Sequence, residues 1–344
     1  MKIGIVFGAQ SFEHEISVVS AIALKKILKH DIIYIFCDYK RDFYLIPTDK
    51  INSKRFSSGE YKKDKVLQLK NGGFFQKKTF GDSLVECDVI LNLVHGRDGE
   101  DGKLSALFDF YGIPYIGPRI EGSCISYNKL LTKLYAKELG VNVLPYQVLY
   151  KHKKEPISIK PPFIVKPLCL GSSIGIGIVK DESQIDYALD VAFEFDNAVL
   201  IEPFSVGVKE YNLAGCKTDK FLFSIVEEPH KEEFLDFDKK YLDFSRTKRV
   251  NEAFIDNTLE LSMKGAFEKL YEPLFLGALI RCDFFVIDNH VYLNEINPIP
   301  GSMANYLFDD FNAVITALSG YLPTCVNVPQ HYRYINSIQA AKGK

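Results

Sequence analysis

The first 118 residues alternate short apolar runs with segments of helical periodicity, and this alternation limits the available folds more than any other feature. Four apolar runs are typical of buried strands: residues 2–7, 32–36, 89–93 and 115–117. Helical patterns at residues 18–29 and 103–111 lie among them, and Lys70-Asn-Gly-Gly73 is typical of a hairpin turn. Alternation of strands and helices predicts a parallel sheet covered by helices. We therefore expect an α/β protein whose N-terminal domain is built on a parallel sheet.

Two loops of this first region carry chemically active side chains. Residues 8–17 follow the first strand and include Glu13, and residues 95–102 follow the third strand and begin with His95. Ligands of parallel sheets bind beyond the carboxyl ends of the strands, so both loops are candidates for ligand binding. The alternative for Glu13 is a carboxylate that only interacts with a helix dipole. The alternative for His95 is a purely structural hydrogen bond.

A glycine- and serine-rich loop marks the middle of the chain. A helix is predicted over residues 127–139, capped by Ser123 and ended by Gly140. A strand at residues 163–167 then leads into Gly171-Ser-Ser-Ile-Gly-Ile-Gly177. Such a loop lets backbone N–H groups approach phosphate oxygens, and Lys166 adds positive charge. The Walker spacing is absent and the next element has a strand pattern, so neither a P-loop nor a dinucleotide fingerprint is supported; an ordinary flexible turn is the alternative.

Three oxygen donors stand on two predicted strands near the C-terminus. Glu295 and Asn297 are two residues apart, so their side chains leave the same face of a strand, and Asp283 joins them if its strand is adjacent. Donors of this kind suit Mg²⁺ that also carries substrate phosphates. Arg281 lies on the same strand as Asp283, and an arginine inside a strand needs an anionic partner. The alternative to a functional role for Arg281 is a structural salt bridge. Solvated turn residues are the alternative for the acids. The residues favour a nucleotide-using enzyme.

Composition excludes several other classes of function. The chain has 344 residues with a net charge of −2, which gives no electrostatic reason to expect a nucleic acid or an anionic membrane as partner. No apolar run approaches the roughly 18 residues needed to span a bilayer, and the N-terminal run is too short for a signal peptide. The seven cysteines are scattered without a Cys-x-x-Cys pair, which favours thiols in a reducing cytosol. We expect a soluble cytoplasmic protein.

The ordered set of motifs resembles the D-alanine–D-alanine ligases of the ATP-grasp superfamily over nearly the whole chain. Residues 8–17 match an early Gly-Gly-x-Ser-x-Glu loop with Ala9 in place of the second glycine, and residues 95–102 match His-Gly-x-x-Gly-Glu-Asp-Gly at every fixed position. Residues 166–175 match Lys-Pro-x3-Gly-Ser-Ser-x-Gly. Residues 281–284 and 294–301 match Arg-x-Asp-Phe and Asn-Glu-x-Asn-x-x-Pro-Gly. Five motifs in the family's order are very improbable by chance.

This resemblance implies a mixed α+β, three-domain ATP-grasp architecture. Residues 1–118 would form the N-terminal substrate domain, residues 119–205 the central domain, and residues 206–344 the C-terminal domain with a lid loop. ATP would be held between the last two domains, with two Mg²⁺ ions, or Mn²⁺ instead, on Asp283, Glu295 and Asn297. The resemblance also implies a set of nucleotide contacts: Lys129, Lys166, Gly171 and Ser173 at the phosphates, Glu202 at the adenine and Glu210 at the ribose.

The resemblance further implies ATP-dependent joining of two D-alanines through an acyl phosphate, for peptidoglycan synthesis and hence cell-wall biogenesis and cell shape. Glu13 would receive the ammonium of the first D-alanine close to His95. Arg281 and the backbone N–H of Gly301 would stabilise the developing oxyanion.

Closure of the site is the second part of the implied mechanism. Ser172 and Tyr241 would link the central loop to the lid and exclude water from the acyl phosphate, and Lys240 would contact the carboxylate of the second D-alanine. The alternatives are a turn residue for Ser172, packing for Tyr241 and a solvated charge for Lys240.

One departure from the family's pattern follows Gly301. Residues 302–307 read Ser-Met-Ala-Asn-Tyr-Leu, and Tyr306 stands where most of the family has a serine that helps to bind the second substrate's carboxylate. We expect Ser302 and Tyr306 to lie at that substrate, where a tyrosine hydroxyl reaches further than a serine.

Two other classes of function are weighed against this one. A different ATP-grasp ligase, such as a carboxylase or purine-pathway enzyme, is expected to lack the Glu13 and His95 loops, and both are present. A non-catalytic nucleotide-binding protein is expected to have lost a metal ligand or Arg281, and none is lost. Because members of the family are commonly homodimers, we also expect a homodimer.

Overall fold

The computed structural model describes residues 1–153, 155–204, 207–229, 250–324 and 328–341, and its first region contains one large mixed sheet. Eight strands form it: β1 (Lys2–Gly8), β2 (Asp31–Cys37), β3 (Phe43–Ile46), β4 (Lys65–Lys70), β5 (Gly73–Lys78), β6 (Gly81–Leu84), β7 (Val89–Asn92) and β8 (Tyr115–Ile116). The strand order is β6-β5-β4-β3-β2-β1-β7-β8. The α/β prediction is confirmed, since β1 pairs in parallel with β2 and β7, and β7 with β8.

The other half of this sheet is antiparallel, which the alternation pattern does not predict. Strands β2 to β6 pair antiparallel in chain order. The connections β2–β3, β4–β5 and β5–β6 are too short for the crossover that parallel neighbours require. The hairpin turn predicted at residues 70–73 is confirmed, because Lys70 pairs with Gly73 and leaves a two-residue Asn-Gly turn between β4 and β5.

Helix α1 holds the early loop against the carboxyl ends of β1 and β7. This region has three helices: α1 (His14–Leu24), α2 (Ser53–Ser57) and α3 (Lys103–Phe110). Ser17 of α1 accepts a hydrogen bond from the N–H of Gly8 at 2.8 Å and donates one to the carbonyl of Leu93. The residue that precedes the helix, Glu13, is thereby fixed at the edge where ligands of parallel sheets bind.

The second sheet has four antiparallel strands. Its elements are α4 (Ile120–Tyr127), α5 (Lys129–Glu138), β9 (Gln147–Tyr150), β10 (Phe163–Pro167), β11 (Gly177–Val179), α6 (Ile185–Phe193) and β12 (Ala198–Pro203), with strand order β11-β10-β12-β9. The capping role predicted for Ser123 is wrong, because Ser123 lies inside α4. Asn128 caps α5 instead: its extended backbone separates the two helices, and its side chain accepts from the N–H groups of Leu130 and Leu131.

The third sheet carries the two strands with the candidate metal ligands. Its elements are β13 (Lys209–Lys217), β14 (Phe221–Glu227), α7 (Asn257–Tyr271), β15 (Ile280–Ile287) and β16 (His290–Asn297), followed by a 3₁₀ turn (Gly301–Leu307), α8 (Phe311–Ser319) and α9 (Ile335–Ala341). The strand order is β14-β13-β15-β16, all antiparallel. The adjacency predicted for the two strands is confirmed. The domain division at residues 118 and 205 stays a prediction.

The first and third regions share one hydrophobic core, which reaches from Ile3 and Leu24 to Ile315 and Leu318. The 3₁₀ turn packs on α1, where the N–H of Ser302 donates to Ser20 Oγ at 3.1 Å. Within the described ranges, no helix is both long enough and apolar enough to cross a membrane.

Replacing Gly99 by alanine is expected to disrupt the loop that begins at His95. A Cβ at Gly99 would lie 1.7 Å from the carbonyl oxygen of Val94, so the backbone would have to move. We expect the free energy of unfolding in urea to fall by at least about 2 kcal/mol, within the range of overpacked cores. The control is Gly265→Ala, which places a Cβ in open space on α7. An equal urea midpoint for Gly99→Ala and the unchanged protein would contradict this reading.

Candidate active site

Three loops from different parts of the chain meet at the carboxylate of Glu13. Glu13 is 5% exposed, and Ser172 Oγ donates a hydrogen bond to its Oε1. A Cβ at Gly171 would lie 2.9 Å from Oε1, and one at Gly96 would lie 2.4 Å from Oε2. Glycine therefore lets both loops approach the carboxylate closely. Glu13 is also the N-cap residue of α1 but makes no side-chain cap bond, so its carboxylate serves the loops rather than its own helix.

His95 is buried and neutral at the start of the loop that contains Gly96. It is 3% exposed, and its Nδ1 lies 3.0 Å from the carbonyl oxygen of Leu93. Burial lowers the pKa of His95 to about 4, although the carbonyls of Leu93 and Pro300 act in the opposite direction. Because Nδ1 faces a carbonyl, it carries the proton. The structural hydrogen bond considered for His95 is thus present, and the ring is uncharged near pH 7.

Two acidic residues of the same loop are important in the structure but had no separate role in the sequence analysis. Asp98 is 3% exposed, and it accepts from the N–H of Gln10 at 3.2 Å and from Arg41 at 2.9 and 3.0 Å. It therefore ties the loop to residues 8–17. For Glu100, burial raises the pKa well above its ordinary value, the charge of Glu13 adds to this, and Lys129 opposes it. A carboxylate between glycines at the ligand edge of a parallel sheet is the signal that would have found Glu100.

The candidate metal ligands lie in register across the third sheet. Asp283 pairs with Glu295 across β15 and β16, and Asp283 also pairs with Asn212 of β13. Asn212 in turn pairs with Glu227 of β14 and donates to its carboxylate at 3.0 Å. Directly opposite residues share a face of the sheet, so these four side chains form one row. The sequence analysis missed Asn212 and Glu227, because a single strand does not reveal its neighbours.

Arg281 forms a bidentate ion pair with Asp283. Its Nε and Nη2 donate to the two carboxylate oxygens at 2.7 and 2.8 Å, and Asn297 Nδ2 donates to Asp283 Oδ2 at 3.0 Å. The remaining Nη1 lies 3.3 Å from the hydroxyl of Tyr306. The structural salt bridge considered for Arg281 is therefore present. Burial raises the pKa of Asp283 to about 6, and Glu295 and Glu210 add to the effect while Arg281 opposes it.

This donor set fits Mg²⁺ only as a partial site. No group of three His, Cys, Asp or Glu residues able to hold a metal is found in the described part of the chain. Two carboxylates and one amide oxygen match an ion that completes its coordination with water and substrate phosphates. Burial raises the pKa of Asp283 and the charges of Glu295 and Glu210 raise it further, so added positive charge would be favourable here.

A chain of polar contacts crosses from the second sheet to the third. Lys166 Nζ of β10 donates to Glu202 Oε2 of β12 at 2.9 Å and to Asn294 Oδ1 of β16 at 3.2 Å. Asn294 Nδ2 donates to Glu210 Oε1 of β13 at 3.4 Å. Three of the predicted nucleotide contacts are thus brought together. A further lysine, Lys133, forms an ion pair with Glu202 Oε1 and was not among the predicted residues.

Lys129 is the first residue of α5 and lies close enough to Glu13 and Glu295 for their charges to affect its pKa. Its Nζ donates to the carbonyl of Leu170, at the start of the glycine-rich loop. Burial and the charge of Lys166 lower the pKa of Lys129, whereas Glu295 and Glu13 raise it. The two predicted phosphate lysines therefore lie within electrostatic range of each other. Ser172 and Ser173 have left-handed backbones with φ of 52° and 59°, so the loop is a tight turn.

The 3₁₀ turn brings Tyr306 to the guanidinium of Arg281 but turns Ser302 towards α1. Ser302, Met303 and Ala304 have φ of 48°, 54° and 49°, and every residue of the turn is buried. The Ser302 carbonyl accepts from Asn305 Nδ2 at 2.9 Å. The role expected for Tyr306 and Ser302 at the second substrate stays a prediction. Lys240 and Tyr241 lie outside the described residues.

Two family models match the chain, one in its N-terminal part and one in its C-terminal part. The model described as D-ala D-ala ligase N-terminus matches residues 2–118, and the one described as D-ala D-ala ligase C-terminus matches residues 135–312.

Individual relatives match over the full length. A D-alanine–D-alanine ligase from Sulfurovum is 59% identical over 345 residues, covering 100% of both chains. One from Nitratiruptor is 58% identical over 99% of this chain and 100% of its own. The crystal structure of the D-alanine–D-alanine ligase from Helicobacter pylori superposes with a TM-score of 0.85 at 50% identity, over 95% of this chain and 100% of that one. With both family models and full-length relatives in agreement, the chain belongs to the D-alanine–D-alanine ligase family.

Proposed function

We propose that this protein joins two D-alanine molecules into D-alanyl-D-alanine with hydrolysis of ATP to ADP and phosphate, in the cytoplasm, for the synthesis of peptidoglycan precursors. Family membership supports the activity. The contact between Ser172 and Glu13 is the observation that carries it, because it joins a carboxylate suited to an amino-acid ammonium to a loop suited to phosphates. An amino acid whose ammonium binds Glu13 would have its carboxylate next to the phosphate donor at the loop of Ser172.

The nucleotide is proposed to bind between the second and third sheets. Lys129 and Lys166, with the backbone N–H groups of Gly171 and Ser173, would neutralise the phosphates. Glu202 and Glu210 would face the adenine and the ribose. The contacts that connect Lys166, Asn294 and Glu210 support this placement, since they link the second sheet to the third.

Asp283, Glu295 and Asn297 are proposed to hold Mg²⁺, as two ions, with Mn²⁺ as the alternative. When bound, the metal supplies positive charge to the phosphates during transfer. In this structure both oxygens of the Asp283 carboxylate accept hydrogen bonds from Arg281.

Two successive group transfers, of a phosphoryl group and then of an acyl group, take place at the amino-acid end of the site. The carboxylate oxygen of the first D-alanine attacks the terminal phosphorus, ADP leaves, and an acyl phosphate forms. The amine of the second D-alanine then attacks the acyl carbon, loses a proton, and phosphate leaves with its bridging oxygen. Glu13 would hold the first ammonium, and Arg281 and the N–H of Gly301 would stabilise the oxyanion of the tetrahedral intermediate.

The second D-alanine is proposed to bind near Tyr306, with Ser302 and Lys240 as its other predicted contacts. The Tyr306 hydroxyl lies 3.3 Å from Arg281 Nη1, so the guanidinium orients it. Ser172 and Tyr241 are proposed to close the site against water. The three-domain division and a homodimeric assembly are part of the same proposal.

The activity is tested by measuring ADP and phosphate release with Mg·ATP and D-alanine, with chromatography for the dipeptide. ADP is expected only with D-alanine and in step with the dipeptide, and L-alanine is the control. ATP binding without D-alanine-dependent turnover would contradict the proposed substrate and leave the family's fold in place.

Glu295→Gln tests the metal assignment. Removing this charge should lower kcat by about 10²–10³, the scale seen when one group that stabilises transition-state charge is lost. The melting temperature should stay unchanged, because Glu295 is not packed in the core. Asp288→Asn, an exposed change in the turn between β15 and β16, is the control. Normal turnover in Glu295→Gln would remove Glu295 from the site.

The pKa of His95 predicts a loss of stability in acid. The unfolded ring titrates near 6.5 and the folded ring near 4, so between these values only the unfolded chain takes up the proton. The fold should therefore lose about 3 kcal/mol as the pH falls from 6.5 to 4. Urea unfolding of the protein and of His95→Gln measures this difference, and NMR gives the pKa directly. Titration of His95 near pH 6.5 would contradict it.

A further inference from the structure

Lys133 is a fully buried lysine for which the proposed mechanism has no role. Its side chain is 2% exposed, and its Nζ forms an ion pair with Glu202 Oε1. The other oxygen, Oε2, accepts from Lys166 Nζ at 2.9 Å. Glu202 itself is 1% exposed. Burial opposes its ionisation, but Lys166 and Lys133 hold the pKa of Glu202 below its usual value.

The charges of this cluster do not balance. Two ammonium groups share one carboxylate, so Lys133, Glu202 and Lys166 carry a net charge of +1. Without Lys133, Glu202 and Lys166 would neutralise each other. A lysine that is fully compensated by a buried carboxylate attracts phosphate weakly, because the carboxylate repels the same anion over nearly the same distance.

The position of Lys133 on α5 connects it with the phosphate side of the site. Lys129 and Lys133 are four residues apart, so they lie on one face of the helix. Lys129 reaches the loop at Leu170, and Lys133 reaches Glu202. Tyr146 lies beside the cluster, with its ring centre 5.8 Å from Lys133 Nζ and 4.5 Å from Lys137 Nζ.

We propose that Lys133 is a positioning residue that shares the Glu202 carboxylate and thereby leaves Lys166 with net positive charge for the nucleotide phosphates. This inference rests on the phosphate role proposed for Lys166. It differs from a role for Lys133 in merely holding Glu202 for the adenine, because the two roles affect different parts of the nucleotide.

Calorimetric binding of MgADP and of adenosine to the full chain separates these roles. Lys133→Met is expected to weaken MgADP by at least about tenfold, as loss of one nearby charge in a partly buried site requires. Adenosine affinity is expected to stay within about twofold, because adenosine has no phosphate for that charge to attract. The matched control is Lys137→Met, one turn further along α5 on an exposed position over the same tyrosine, which should change neither affinity.

A double variant keeps the test valid if Lys133→Met folds poorly. Lys133→Met with Glu202→Gln removes one positive and one negative charge, so the cluster keeps the net charge of +1 that it has in the unchanged protein. Lys166 then keeps its charge, and the ratio of MgADP affinity to adenosine affinity should return to that of the unchanged protein.

Three results would overturn the inference. Equal weakening of MgADP and adenosine in Lys133→Met would assign Lys133 to the adenine side. Weakening of MgADP in Lys166→Met, with none in Lys133→Met, would overturn the role of Lys133 alone. Unchanged MgADP affinity in Lys166→Met would instead contradict the phosphate role proposed for Lys166, and the inference with it.

Discussion

The hydrogen bond from Ser172 to the buried carboxylate of Glu13 is the contact on which the arrangement of the site depends. It joins the hairpin of the second sheet to the ligand edge of the first. A buried carboxylate without partners is strongly unfavourable, so the loop that carries Ser172 and the loop that carries Glu13 stabilise each other's position. Gly96 and Gly171 make this approach possible, because a Cβ at either would meet the carboxylate.

Charge balance under burial is the common physical feature of the site. Where a buried carboxylate has two cationic partners, as Glu202 does, its pKa falls; where burial is combined with neighbouring carboxylates, as at Asp283, the pKa rises. The first arrangement keeps one positive charge in excess, which suits phosphates, and the second is suited to an added cation. The site therefore combines a region that the protein itself makes cationic with a region that a metal would neutralise.

Much of this architecture could be predicted from local patterns. Strands β1, β7 and β10 and the β15–β16 pair follow from apolar periodicity, and the Asn-Gly turn at residues 71–72 follows from its backbone geometry. The antiparallel half of the first sheet was not predicted, because β3 is only four residues long and the outer strands include exposed, polar ones such as β6. Lys133 was missed for a different reason. A lysine in a helix is normally solvated, and only the tertiary contact with Glu202 reveals that this one is buried.

The left-handed backbone at Ser302, Met303 and Ala304 makes this turn depend on contacts with other parts of the protein. For residues with a Cβ this conformation is unfavourable by roughly 1–2 kcal/mol each, so the turn would not keep this shape in isolation. It is held by burial and by the hydrogen bond to Ser20 of α1. The position of Tyr306 therefore depends on a helix encoded almost three hundred residues earlier, and substitutions on that helix can displace Tyr306 without contacting it.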